Sequence, residues 1–269
     1  MFKIGCDMSL KWDLAFHSGM SAKSDLRAAV DEGIAVGVVA TLLDISKTVL
    51  VLPRHLDSGK AVFVDSGAFN AFQKNEDVDW TKVFMAYETI LQMTDKPAGL
   101  SIVAPDVIGD QVATIGLWTA HAERIRAWIV AGARVIVPLQ RGSMTAGEML
   151  KRAKGIIGSD RFCAGIPSNL EAMTCSDAQT LSHHDFHILG RVILTPELKT
   201  KLNALQSNNP DATYTADANW LRSRLRQICR LAHAFRDNPA SSSWDSSRTL
   251  AVRSVLRVDA YSSNIRPLT

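Results

Sequence analysis

Three carboxylates and an amide in this chain each stand immediately behind a short apolar run, and that placement suits them for chemistry on a nucleobase. Asp65 closes Ala61-Val62-Phe63-Val64 and is followed by Ser66 and Gly67; Asp106 follows Ser101-Ile102-Val103-Ala104-Pro105. Gln140 follows Val137-Pro138-Leu139 and precedes Arg141, and Asp217 closes Tyr214-Thr215-Ala216. An ionised aspartate can accept hydrogen bonds from the N1–H and exocyclic amine of a guanine-like ring, while a glutamine amide can donate to its O6. A further carboxylate facing the sugar C1′ can act as a nucleophile and form a covalent glycosyl-enzyme that another base then attacks. Each residue also has an ordinary reading: an aspartate at a strand end can simply cap the next helix, and a glutamine there can be a solvated loop residue.

The elements that must position these groups follow from the alternation of short Val/Ile/Phe-rich runs with longer amphipathic stretches, the rhythm of βα units around a parallel sheet. Strands are predicted at Phe2–Cys6, Gly37–Thr41, Val62–Val64, Leu100–Val103, Arg134–Val137, Arg161–Ala164, Phe186–Leu189 and Thr213–Thr215. Eight such strands close a (β/α)8 TIM-like barrel, a single domain whose sites are built at the C-terminal ends of the strands. Besides the acids and Gln140, that rim would carry Gly165 and Gly190, which alone read as turn glycines. Helices are predicted at Ser24–Glu32, Trp80–Met93, Ala113–Ala131, Ala146–Ile157 and Leu170–Leu181. A last helix from Ala218 to Arg236 carries Arg222, Arg224, Arg226, Arg230 and Arg236, placed either to hold phosphates or to form a solvated face. The barrel with this helix is assigned to residues 1–237, and 238–269 to a polar connection and a C-terminal extension packed on it.

Composition narrows the classes. A chain of 269 residues that is 46% hydrophobic can bury a substantial core, and a formal charge of +3 permits a nucleic-acid partner without demanding one. Cys6, Cys163, Cys175 and Cys229 are scattered without a CxxC pair, so neither a disulfide framework nor a zinc knuckle is suggested. No uninterrupted apolar stretch reaches the roughly 18 residues of a membrane span, and the start of the chain has no sustained apolar segment. A cytoplasmic protein without membrane contact is expected. His183, His184 and His187 are close enough in sequence to suggest a metal, but His183 and His184 precede a strand and fall at the opposite rim from the acids. An aldolase-type barrel would need a Schiff-base lysine, and no predicted strand ends on one.

Asp65-Ser66-Gly67-Ala68-Phe69 resembles the DSGGF motif of the tRNA-guanine transglycosylase superfamily, with one glycine replaced by alanine. Val103-Ala104-Pro105-Asp106 followed by Val112-Ala113-Thr114 is similar to the segment bearing that family's base-reading aspartate. Leu139-Gln140-Arg141-Gly142 resembles its VQGG stretch, Ala164-Gly165-Ile166 its glycine turn, and Ile188-Leu189-Gly190 the strand before its nucleophile. The length is similar to that of the compact DpdA-type members, which insert 7-deazaguanines into DNA. The resemblance implies a DNA-guanine transglycosylase, a pentosyltransferase exchanging guanine for a preQ0-type base through a covalent aspartyl intermediate. It makes Asp65 the general acid/base and Asp217 the nucleophile, with Ser66, Asp106, Gln140, Gly165 and Gly190 binding the base. Arg141, Arg191, Arg222, Arg224 and Arg226 would then contact the nucleic acid. The tRNA enzymes carry a Cys-rich zinc site with a histidine after the nucleophile, where this chain has only Cys229 and His233; no zinc or other cofactor is expected. A tRNA substrate and a non-catalytic barrel that binds nucleobases or nucleic acid are the alternatives.

Overall fold

Four- to six-residue strands alternate with helices along the chain, and their side chains alternate between two apolar layers. The computed structural model describes residues 12–44, 49–190 and 195–219, together with Leu221 and Val255. The strands are β1 (Leu14–His17), β2 (Val36–Val39), β3 (Val62–Asp65), β4 (Leu100–Val103), β5 (Arg134–Pro138), β6 (Cys163–Pro167), β7 (Asp185–Leu189) and β8 (Thr213–Ala218). All pair in parallel with their sequence neighbours, and β8 returns to pair with β1, so the sheet closes as a (β/α)8 barrel. The described helices are α1 (Lys23–Asp31), α2 (Val51–Asp57), α3 (Ala68–Lys74), α4 (Trp80–Gln92), α5 (Gln111–Ala120), α6 (Ala122–Val130), α7 (Ala146–Ile157), α8 (Cys175–Gln179) and α9 (Pro196–Asn208).

Strand periodicity sends alternate residues to opposite faces. Val62, Val64, Ile102, Val135, Val137, Ile188 and Ala216 point outward into the core shared with Leu26, Tyr87, Trp118, Leu150 and Leu202 of the helices. Phe16, Phe63, Val103, Ile136 and Cys163 point inward and fill the barrel. This inward set continues upward into Asp65, two residues beyond Phe63, and into Asp217, two beyond Thr215. The acids are therefore the top layer of the barrel interior.

Four expectations need correcting. The first barrel strand is Leu14–His17, not Phe2–Cys6, which lies outside the described residues. Leu14-Ala15-Phe16-His17 contains no β-branched residue, yet it pairs with β2 and β8 and completes the ring. The helix expected over Ala113–Ala131 is two helices broken at His121, whose φ of −117° and ψ of 17° end one and start the other. The helix expected at Leu170–Leu181 is only Cys175–Gln179, started by a reciprocal cap between Thr174 and Asp177. Ala218 belongs to β8; the rest of the expected arginine-rich helix, Leu221 apart, lies outside the described residues. So does the 238–269 extension, except that Val255 is buried in the outer core. Among the described residues, no helix is long and apolar enough to cross a membrane.

Candidate active site at the barrel mouth

Asp65 ends β3, and the turn behind it fixes its carboxylate. The Gly67 N–H donates to Asp65 Oδ1 at 3.3 Å, and the buried Ser66 hydroxyl accepts from the Ala68 N–H at 3.2 Å. Gly67 sits at φ +87°, and a Cβ there would fall 2.7 Å from Thr41 Oγ1 and 3.0 Å from Val39 Cγ1. Glycine is thus required both by conformation and by space.

Asp106, in the loop after β4, is 4% exposed. Its Oδ2 accepts from Gln140 Nε2 at 2.8 Å, and Gln140 Oε1 accepts from the Gly109 N–H at 2.9 Å. An amide with a carboxylate on one end and an N–H on the other has one sensible orientation, so the Asp106–Gln140 pair presents a fixed edge. The loop carrying Gln140 is clamped by Gln111, whose Nε2 donates to the Gln140 and Met144 carbonyls at 3.2 Å each while Oε1 accepts from the Met144 N–H at 2.9 Å. Gly142 makes room for this clamp: a Cβ there would lie 2.4 Å from the Gln111 side chain.

Asp217 lies on β8 and is held from three sides. Oδ1 accepts from the Gly190 N–H at 2.7 Å and contacts His187 Nε2 at 3.4 Å, while Oδ2 accepts from the Ser18 hydroxyl at 2.7 Å. Gly37 of β2 leaves space for Ser18, since a Cβ there would meet its Oγ at 2.7 Å. Beneath the acids lies an aromatic floor. Phe63 stacks on His187 with centroids 5.1 Å apart, and Phe16 lies 5.6 Å from Phe63 and 6.2 Å from His187.

These surroundings separate the acids. Burial first, and then the negative charge of Asp217, raises Asp65 to about 6, against the pull of the Gly67 and Ser66 N–H groups. Burial and then the charge of Asp65 raise Asp106 to about 7, against the bond from Gln140. Burial would also raise Asp217, but His187, the Gly190 N–H and the Ser18 hydroxyl outweigh it and hold this carboxyl below its ordinary value. Burial lowers the pKa of His187 below 6.5 despite Asp217, so near neutral pH the ring serves as a neutral N–H donor. The charge of Asp217 thus acts on Asp65, and that of Asp65 on Asp106, at the C-terminal end of the barrel where β3, the loop after β4 and β8 carry them.

Other expected site residues fall elsewhere in the network. Gly190, at φ +76°, gives its N–H to Asp217. A Cβ on Gly165 would lie 3.0 Å from Ile136 Cγ2 and Pro138 Cα, so close packing of β5 on β6 requires a glycine there. Arg141 is exposed and donates to the Glu171 carbonyl at 3.0 Å. Arg191, Arg222, Arg224 and Arg226 lie outside the described residues. His183 donates its Nε2–H to the Phe162 carbonyl at 2.6 Å. Among the described residues, no group of three or more His, Cys, Asp or Glu side chains is arranged to hold a metal ion. Lys201 is lowered to about 8 by burial and spends its ammonium on the Pro167 and Asn169 carbonyls at 2.8 and 2.6 Å, latching the loop after β6.

Sequence reasoning weighed His187 only as a metal ligand and assigned no role to Thr215, Arg134 or Gln111. The first three were signalled by position: each is polar at the inward phase of a strand whose outward phase is apolar.

No protein-family model matches this sequence, and no curated protein matches it either. Among solved structures, the YdjI aldolase of Escherichia coli K12 aligns over 94% of this chain and 90% of its own, at 11% identity and a TM-score of 0.50. An L-ribulose 3-epimerase aligns over 92% and 93%, at 13% identity and a TM-score of 0.49. At such identities the likeness is one of fold alone, and that fold is the (β/α)8 barrel.

Proposed function

We propose that this barrel exchanges a guanine base in a polynucleotide for a 7-deazaguanine through a covalent bond to Asp217. The observation that carries the reading is the separation of the acids. A carboxylate kept ionised by three donors faces one raised to about 6, beside a fixed carboxylate–amide edge. Pairs of acids pushed apart in this way divide into nucleophile and proton carrier. Asp217 attacks C1′, the C1′–N9 bond breaks, and the leaving purine takes its proton from Asp65. The incoming base then loses its N9 proton to Asp65, and N9 attacks C1′ to release the Asp217 carboxylate. Protons and charges balance over the cycle.

For recognition, Asp106 Oδ1 and the second hydrogen of Gln140 Nε2 match the two N–H donors and the O6 acceptor of a guanine edge. Two N–H donors would favour the ionised form of Asp106 and draw its pKa down from about 7 on binding. The resemblance to the compact DpdA-type enzymes makes DNA the polymer proposed.

The test is incubation with labelled preQ0 and either duplex DNA or tRNA, followed by denaturing electrophoresis to trap an adduct. Label should enter DNA, and Asp217→Ala should abolish both label and adduct. Label in tRNA alone would overturn the choice of polymer. Tight nucleic-acid binding without label or adduct would overturn the exchange and favour a non-catalytic binding barrel.

A further inference from the structure

A chain of polar contacts runs through the barrel interior from its opposite mouth to Asp217. At the start of β5 and β7, Arg134 pairs with Asp185 in a two-pronged contact, Nε to Oδ2 at 2.8 Å and Nη2 to Oδ1 at 2.6 Å. Arg134 Nη2 also donates to Thr215 Oγ1 at 2.8 Å. A guanidinium only donates, so Thr215 Oγ1 is the acceptor there and its own hydrogen is left for another partner. His187 Nδ1 lies 2.8 Å from that oxygen, nearer than the Phe186 carbonyl at 3.3 Å. A carboxylate can only accept, so the ring nitrogen that faces Asp217 Oδ1 at 3.4 Å, Nε2, must carry the hydrogen, and the neutral ring then takes the Thr215 hydroxyl hydrogen at Nδ1 in preference to the Phe186 carbonyl.

We propose that His187 is a positioning residue for Asp217, with its Nε2–H aimed at the carboxylate by Thr215 and the Arg134–Asp185 pair. This rests on the reading of Asp217 as the nucleophile. The ring is not itself a proton carrier. It is fully buried, both nitrogens are engaged, and it is stacked on Phe63 with Phe16 alongside. The groups facing the pair are Asp65 from β3, Arg134 from β5 and Asp185 from β7, with Ser18 and the Gly190 N–H on the carboxylate itself. The device supplies a donor to Asp217 where two apolar rings would otherwise leave its lower side without one. It also ties the orientation of that donor to an ion pair on the far side of the barrel.

The experiment follows Asp217 directly, by carbon-13 NMR titration of protein labelled at the aspartate side-chain carboxyl, with Asp217→Asn assigning the resonance. His187→Phe keeps an aromatic ring on Phe63 and removes the donor. It should raise the Asp217 pKa by about one unit, and the acidic limb of any exchange pH profile should move with it. His187→Gln, whose amide can reach the Nε2 position, should return the titration to within about half of that displacement. Thr215→Val, a smaller change should His187→Phe fail to fold, should raise the pKa by about half a unit because the ring tautomer is no longer fixed. An Asp217 titration unmoved in every folded variant would overturn the proposal, as would a His187→Gln displacement equal to that of His187→Phe. Because the titration needs no substrate, a wild-type protein without exchange activity would overturn the proposed function and leave this inference to the NMR result.

Discussion

Replacing Asp106 by asparagine should stabilise the protein, by an amount that grows with pH. The side chain is almost wholly buried, and burial with the neighbouring Asp65 charge raises its pKa from 3.8 to about 7. A carboxyl with a higher pKa folded than unfolded costs nothing below the unfolded value, where both states are protonated. It lowers stability progressively as pH climbs to the folded value. A shift of about three units corresponds to about 4 kcal/mol, fully developed above pH 7, with about 2 kcal/mol already present at pH 5. Asparagine cannot ionise, and its Oδ1 can still accept from Gln140 Nε2. Any change in the strength of that bond is the same at each pH and cancels when two pH values are compared. Urea unfolding of both proteins should therefore show a stability difference about 2–3 kcal/mol more favourable to Asp106→Asn at pH 8 than at pH 5. The reasoning fails if the difference is constant with pH to within about 0.5 kcal/mol, a spread that denaturant extrapolation resolves. A difference that shrinks as pH rises would mean that Asp106 is held ionised, as Asp217 is.

Two further substitutions probe the scaffold. Gly67→Ala forces a side chain into the left-handed region and against Thr41 and Val39, so it should cost about 1–3 kcal/mol in thermal or denaturant unfolding; an unchanged midpoint would refute the strain argument. Arg134→Met leaves Asp185 unpaired and should cost about 3 kcal/mol, most of it recovered when Asp185→Leu is added, and a double variant no better than the single would refute that cause.

Much of the fold is legible because most strands are β-branched runs bounded by turn residues, and the acids are legible because each stands at or just beyond the C-terminal end of such a run. Leu14–His17 escaped because it contains no β-branched residue and most of its pairing is supplied by β8, about 200 residues away, when the ring closes. The α2 helix escaped because Pro53 looks like a breaker, although it falls in the first turn, where a missing N–H costs nothing. His187 and Thr215 announce by the alternation of their strands that they face inward, but which groups they meet there is set by neighbouring strands and not by their own sequence. The Gly190 N–H is a backbone donor with no side-chain signature, so its role toward Asp217 is visible only in the folded chain.

The division of labour among the acids follows from which part of the wall each one faces. Asp217 is served by a hydroxyl just after β1, a ring on β7 and an N–H just after β7, all contributed by strands adjacent to β8. Among the described residues, Asp65 is served by the N–H groups of its own turn and Asp106 by the Gln140 amide. Burial is common to all three, so donor supply decides which acid is held below its ordinary value and which two are raised above it. An ionised Asp217 then raises Asp65, and Asp65 raises Asp106, which passes the asymmetry around the mouth from β8 to the loop after β4. Adding a donor beside Asp65 would thus do more than alter one group. It would lower the barrier to a second ionised carboxylate at the mouth and weaken the contrast on which a nucleophile and a proton carrier depend.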